Sequence, residues 1–365
     1  MSTDPPPHEH DRSCLDTVIE APILVSFIEE ILSACGLTAS DARCCGEWLA
    51  DADLRGVSSH GVLRLPMYVD CYRRGILNPK PDMEITQNAN AVVTIDADDA
   101  IGLIAGTTAI DTAISLAEQF GIGAVFVRRS SHFGTASHYV RRAAERNFAA
   151  ICTSNASPSM IAWGGLHPVL GTNPFAAAAP GGARYPAFVL DMSTSVVARG
   201  KIVAAAESGD PIPEGWATDF AGNATTDAAR ALNGALLPFA GAKGSGLAMF
   251  VDVLSGVVSG AAFASQIKSV ANSGSEPVDV GHFFCAIDVE KLMPLSQYRS
   301  RFDNFVDIMK GSGEGRDVLI PGERSDASRR DRLQNGIPLR AATVQELDKI
   351  ADLIGVSRLV TEPTH

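Results

Sequence analysis

The chain has 365 residues, of which 46% are hydrophobic and 20% charged, so it can bury a sizeable core and is not globally disordered. Its formal net charge of −12 repels nucleic acid and anionic membranes, and its arginine pairs at 128–129, 141–142 and 329–330 are isolated rather than gathered into a patch. That excludes nucleic-acid and membrane partners and leaves a cytoplasmic protein with a small-molecule ligand as the expectation.

The opening MSTDPPPHEHDRSC is polar and proline-rich, with no apolar stretch of signal-peptide type, so 1–17 reads as a disordered tail. The seven cysteines (14, 35, 44, 45, 71, 152 and 285) are odd in number and lack a framework spacing, which fits reduced thiols. Apolar positions recurring through 21–36 predict a helix stopped at Gly36. Thr38 and Asp41, in capping-box spacing, predict a second helix running to Gly56. A third is expected over 66–74.

At NAVVTIDADD the character changes. β-Branched runs predict strands at 91–96, 123–128, 148–153, 187–192 and 283–288. Helical patterns fall between them at 103–120, 136–146, 199–207 and 245–258. Strands alternating with helices argue an α/β layered unit. From about 290 the chain turns helical again, at 295–310 and 343–355, and 271–281 and 310–317 read as surface loops. The two helical ends are expected to pack together.

The common catalytic fingerprints are missing: there is no G-x-G-x-x-G, P-loop, H-E-x-x-H, C-x-x-C or G-x-S-x-G. No spacing suits a metal. Four polar stretches remain. RGVSSHGVLR sets Arg55, Ser59, His60 and Arg64 close together; a helix beginning near Ser59 would favour an anion there, with a guanidinium fork for carboxylate and an imidazole for a proton. The alternative is an N-cap serine and a solvated arginine. RSSHFGTASHY places His132 just after a predicted strand, where open α/β sheets hold ligands, or else forms a plain strand-to-helix turn. GTNP with LDMSTS puts Asp191 at a strand end, able to orient a histidine or to cap a helix. GAKGSG sets Lys243 at a helix start suited to an anion, or is simply a glycine-rich loop.

These stretches occur in one order, together with PEGWATDFAGNATTD and IPGE. From about residue 22 to 355 the chain resembles the type-2 malate/L-lactate dehydrogenase-like oxidoreductases. Relatives in that family include ureidoglycolate dehydrogenase, sulfolactate dehydrogenase, diketogulonate reductase and piperideine-2-carboxylate reductase.

The resemblance implies an α/β fold: a non-Rossmann nicotinamide-binding domain (89–288) inserted in a helical substrate and dimerisation domain formed by both chain ends (18–88 plus 289–365). It implies a homodimer, NAD or NADP as cofactor, and hydride transfer at C2 of a small 2-oxo or 2-hydroxy acid. His60 matches the family's proton donor, Ser59 and Asp191 its charge relay, and Arg64, with Arg55 beside it, the carboxylate contact. In some members the histidine matching His132 carries the proton instead. The cofactor would be held by His132, Phe133, Gly134, Thr135, Ala136, Asn155, Thr172, Asn173, Pro174, Asp191, Met192, Ser193, Thr194, Lys243, Gly322 and Glu323. One departure stands in the lysine loop, where Ala242 replaces a common aromatic. A cyclic imino-acid reductase and a non-catalytic carboxylate- or nucleotide-binding protein are the alternatives. Neither the acid nor the choice between NAD and NADP is legible in the sequence.

Overall fold

The computed structural model describes residues 17–270 and 273–359. The expected tail therefore lies outside the described residues except for Thr17, and so do two positions of the 271–281 loop.

A seven-stranded sheet forms the centre. From edge to edge its strands are Glu84–Ala89, Val92–Asp96, Ile122–Ser130, Val280–Asp288, Phe148–Ser154, Phe175–Ala179 and Phe188–Met192. Only Val92–Asp96 and Ile122–Ser130 run parallel; every other neighbouring pair is antiparallel. The parallel pair needs a crossover, which helix Gly102–Phe120 supplies. That helix packs on Ile122–Ser130 and Val280–Asp288, and helix Ala136–Glu145 packs on Phe148–Ser154 and Phe175–Ala179. The mixed, largely antiparallel sheet accounts for the missing dinucleotide fingerprint, which belongs to a parallel sheet with a βα turn at its crest.

Two strands of this sheet have no matching sequence signal. Glu84–Ala89 is exposed along its whole length and hairpins onto Val92–Asp96, so it lacks the alternation that marks a half-buried strand. Phe175–Ala179 is mostly alanine, a helix former, yet its small side chains let helix Ala136–Glu145 settle on the sheet with Ala176 and Ala178 buried.

The chain ends meet at three places, one of them where helix Ala341–Ile354 packs on helices Leu65–Arg73 and Ala21–Ala34. Thr17–Ile19 pairs antiparallel with Ile337–Leu339, and helix Glu323–Asn335 lies on helix Ala39–Leu54. The main hydrophobic core runs from Leu24, Ile28 and Leu49 through Ile110 and Val125 to Phe284. A smaller core, around Met160, Ile202, Ala217 and Leu236, supports a second sheet of short strands within 160–236. Helix Ala242–Asp252 leaves it and passes into a π-helical turn, Val253–Val258, which packs on the far face of the large sheet. No helix among the described residues is long and apolar enough to cross a membrane.

Candidate active site

The opening motif does not start an α-helix at Ser59. Two 3-10 turns, Ser58–His60 and Val62–Arg64, carry it, and the helix begins only at Leu65. The cause is local: the buried Asp53 carboxylate takes the Val62 N–H at 2.7 Å, which turns the chain back before a helix can start. An anion site at a helix N-terminus is thus absent here, but the side chains still converge. Ser59 Oγ lies 2.9 Å from His60 Nδ1. Arg64 donates through Nε to the Ser59 carbonyl at 2.7 Å. Among the described residues Arg64 has no ion-pair partner.

His132 reaches the same place from the sheet. Ser131 Oγ accepts the Gly102 N–H at 3.0 Å and donates to the Ala100 carbonyl. Gly102 has to be glycine, because a Cβ there would overlap the Ser131 and His132 carbonyls. The His132 ring stacks on His60 with centroids 5.5 Å apart. Its Nδ1 lies 2.6 Å from the hydroxyl of Tyr68. Tyr68 is buried, and desolvation pushes its phenol well above the ordinary value. The phenol therefore keeps its proton and donates it to Nδ1, which leaves the imidazole proton of His132 on Nε2. Desolvation, followed by the charge of Arg64, lowers His60 to about 4. Desolvation also lowers His132 well below its ordinary value, with further contributions from His60 and Arg64. Both rings are neutral at neutral pH.

Other expected residues sit elsewhere. Arg55 is not available to a substrate: its guanidinium is nearly buried between Asp51 and Asp326, each at 2.7 Å. Asp191 accepts the Ser137 N–H at 2.8 Å at the start of helix Ala136–Glu145. Its hydrogen bond goes to that helix end, just past the His132 loop, rather than to Ser59 or His60. Asn155 is buried and holds Gly281 and Ala262. Asn173 is buried between Ala156 and Ala248. Thr194 donates to the Thr172 carbonyl, and Ser193 bonds Ser195. Glu323 accepts from Lys310 and from the Ile320 N–H, beside Gly322 packed on Val189. Phe133 stacks on the buried His282 at 4.6 Å. These residues shape and brace the loops around the site.

Residues 19–348 match the family model described as malate/L-lactate dehydrogenase. The chain belongs to the malate/L-lactate dehydrogenase family. The malate dehydrogenase of Pyrococcus horikoshii is 38% identical over 92% of this chain and 95% of its own; its solved structure superposes with a TM-score of 0.85, covering 94% and 97%. The (2R)-3-sulfolactate dehydrogenase (NADP(+)) of Chromohalobacter salexigens is 36% identical over 87% and 92%. The ureidoglycolate dehydrogenase (NAD(+)) of Escherichia coli is 32% identical over 88% and 92%.

For a malate/L-lactate dehydrogenase-family chain, the donor set suits a dinucleotide. Lys243 is exposed in the first turn of helix Ala242–Asp252, among first-turn N–H groups. The Trp163 indole is 63% exposed and borders Gly241 in that loop. It supplies an aromatic surface next to the position where Ala242 lacks one. Trp163, Tyr68 and Asp53 escaped the sequence reading. For Tyr68, the available signal was a phenol inside an otherwise apolar run next to SSHG.

Proposed function

We propose that this chain catalyses the reversible oxidation of a small 2-hydroxy acid to the 2-oxo acid, with NAD or NADP as hydride carrier. The observation that carries the reading is Arg64, which has no ion-pair partner among the described residues, beside a neutral histidine bonded to Ser59 and stacked on a second histidine. Bound nicotinamide supplies the hydride acceptor in one direction and the donor in the other.

Arg64 grips the substrate carboxylate and so fixes the orientation of C2. Neutral His60 accepts the hydroxyl proton as the alcohol is oxidised. In reduction it returns a proton to the developing alkoxide. A bound carboxylate favours that protonated state, because it offsets the Arg64 charge that helps to hold His60 low. Tyr68 keeps His132 in one tautomer, with its Nε2–H as a hydrogen-bond donor. Lys243 and the neighbouring N–H groups suit the cofactor diphosphate, and Trp163 offers it an apolar face.

A homodimer belongs to the same reading. Met249, Phe250, Val253 and Val257 are each more than 40% exposed and recur at helical spacing along one flank, a patch that a second copy would cover. Sedimentation equilibrium of the wild type and of Phe250→Glu tests it, with a dimer expected only for the former.

The decisive assay mixes the protein with NAD and, separately, NADP and a panel of 2-hydroxy acids, following formation of the reduced nicotinamide. Turnover is expected on at least one acid. Reduction of cyclic imino acids alone, run in reverse as a control, would move the assignment to C=N substrates. Failure to bind either cofactor would leave a binding protein on this fold.

A further inference from the structure

Asp53 stands at the end of helix Ala39–Leu54 and is 1% exposed. Its carboxylate accepts the Val62 N–H at 2.7 Å and also a hydrogen bond from the Ser58 side chain. Gly61 lies flat against the same carboxylate, where a Cβ would overlap its atoms. With φ −87° and ψ −150°, Gly61 has extended backbone open to any residue. What demands glycine there is Asp53, not the conformation. Residues 58–62, with His60 among them, are folded around one buried carboxylate.

The groups around it come from three elements. His60 and Arg64 stand on the turn, and Asp51 and Arg55 on the end of the helix that carries Asp53. From helix Glu323–Asn335, Arg332 donates to the Asp53 backbone carbonyl, and Arg329 pairs with Asp51. Among the described residues no cation forms an ion pair with the Asp53 carboxylate.

We propose that Asp53 is a positioning residue for the dehydrogenase reaction: its buried carboxyl group is the template on which the His60 turn is held. The proposal rests on the assignment of the proton to His60. Desolvation raises the Asp53 carboxyl to about 6, while His60 is lowered to about 4, so the two titrations are separable. Asp51 remains an anion, because the His138 hydrogen bond and the charge of Arg55 outweigh its burial.

The test compares Asp53→Ala, Asp53→Asn and Gly61→Ala. Each is measured for kcat against pH, for cofactor affinity, and for backbone amide hydrogen exchange across 58–64. Asp53→Ala is expected to lower kcat about 100-fold, the scale of a displacement of about 1 Å, with cofactor affinity unchanged. Asp53→Asn still offers an oxygen to Val62, so it should recover to within about tenfold of wild type. Gly61→Ala should match Asp53→Ala when made alone and add nothing in the Asp53→Ala background. Val62 exchange should be slow in wild type and fast in Asp53→Ala. Wild-type kcat and exchange in Asp53→Ala would overturn the proposal, and so would an Asn variant as damaged as the Ala variant. If Asp53→Ala does not fold, Asn and Gly61→Ala carry the comparison. If the wild type oxidises no hydroxy acid, the functional reading fails by itself and Val62 exchange still decides the role of Asp53.

Discussion

The imidazoles of His60 and His132 lie face to face, with centroids 5.5 Å apart and planes 21° from parallel. One comes from the helical N-terminal region, the other from the end of a central strand. Each ring has one nitrogen near a hydroxyl, Ser59 for His60 and Tyr68 for His132. Two imidazolium rings this close would repel, so the pair carries at most one proton near neutrality. His60 is the ring beside Arg64. His60→Ala should therefore lower kcat by about 10²–10⁴-fold, the ordinary contribution of a general acid–base, and His132→Ala by less. Steady-state kinetics on both variants checks the order, and a reversed order reassigns the proton to His132.

Arg64 acts twice, as a grip for the carboxylate and as a positive neighbour of His60. Replacing it with leucine should raise KM for the hydroxy acid by about 10–100-fold, the worth of a charged hydrogen bond. The sign of the second effect is fixed. His60 is held below its ordinary value partly by Arg64, so removing the charge moves its titration upward. The His60 resonances in an NMR pH series should show that shift in Arg64→Leu and not in a conservative Arg64→Lys.

Tyr68→Phe removes the proton donated to His132 Nδ1 and changes little else in a buried, apolar setting. Without that donor the His132 proton is free to sit on either nitrogen. Nitrogen-15 spectra of the wild type should show the Nε2–H tautomer alone, and those of Tyr68→Phe a mixture. Stability should change by only about 1 kcal/mol, because one hydrogen bond is lost and its acceptor borders the open site.

The layered α/β character and the two histidine motifs were legible because periodicity and local polarity are properties of short windows. Helix Ala136–Glu145 and strand Val92–Asp96 fall within a residue or so of expectation. Phe175–Ala179 was hidden, since an alanine run becomes a strand only through the helix packed on it. Helix Glu323–Asn335 was hidden too, because none of its residues is buried; ion pairs to distant segments hold it, and no window contains those partners. The same limit explains Arg55. In sequence it looks like part of the SSHG cluster, but it belongs to an ion-pair network completed by Asp326, 271 residues away. Asp53 carries no motif at all; its role exists only once Gly61 folds onto it.

Asp53 also sets a pH dependence of stability. Its folded-state value, about 6, lies above the ordinary value of 3.8, so the folded state holds this proton more tightly than the unfolded chain does. The resulting stabilisation is full below pH 3.8 and is lost as pH rises through 6. Two units correspond to roughly 3 kcal/mol as an upper bound. Asp53→Asn cannot ionise and should be more stable than wild type at pH 8, with the gap closing toward pH 4. Urea unfolding at the two pH values measures it, and a constant gap would rule out the titration as its source.

Asp326 joins three segments through two nearly buried arginines. Its Oδ1 accepts from Arg55 at 2.7 Å and from Arg141 at 2.8 Å, and the two arginine side chains are 10% and 8% exposed. Arg55 leads into the His60 turn, and Arg141 lies on the helix that follows the His132 loop, so this carboxylate ties both histidine-bearing elements to helix Glu323–Asn335. Replacing it with alanine leaves two guanidinium groups close together with little water. Arg55 keeps Asp51, but among the described residues Arg141 keeps only the Ser325 hydroxyl. Removing one partner of such a buried pair typically costs about 3–5 kcal/mol. Asp326→Ala should lose that much in urea unfolding, and Asp326→Asn somewhat less. In an Arg141→Met background the loss from Asp326→Ala should shrink, because the orphaned charge is then gone. An undiminished loss in the double variant would place the cost in helix Glu323–Asn335 itself and not in the pairing.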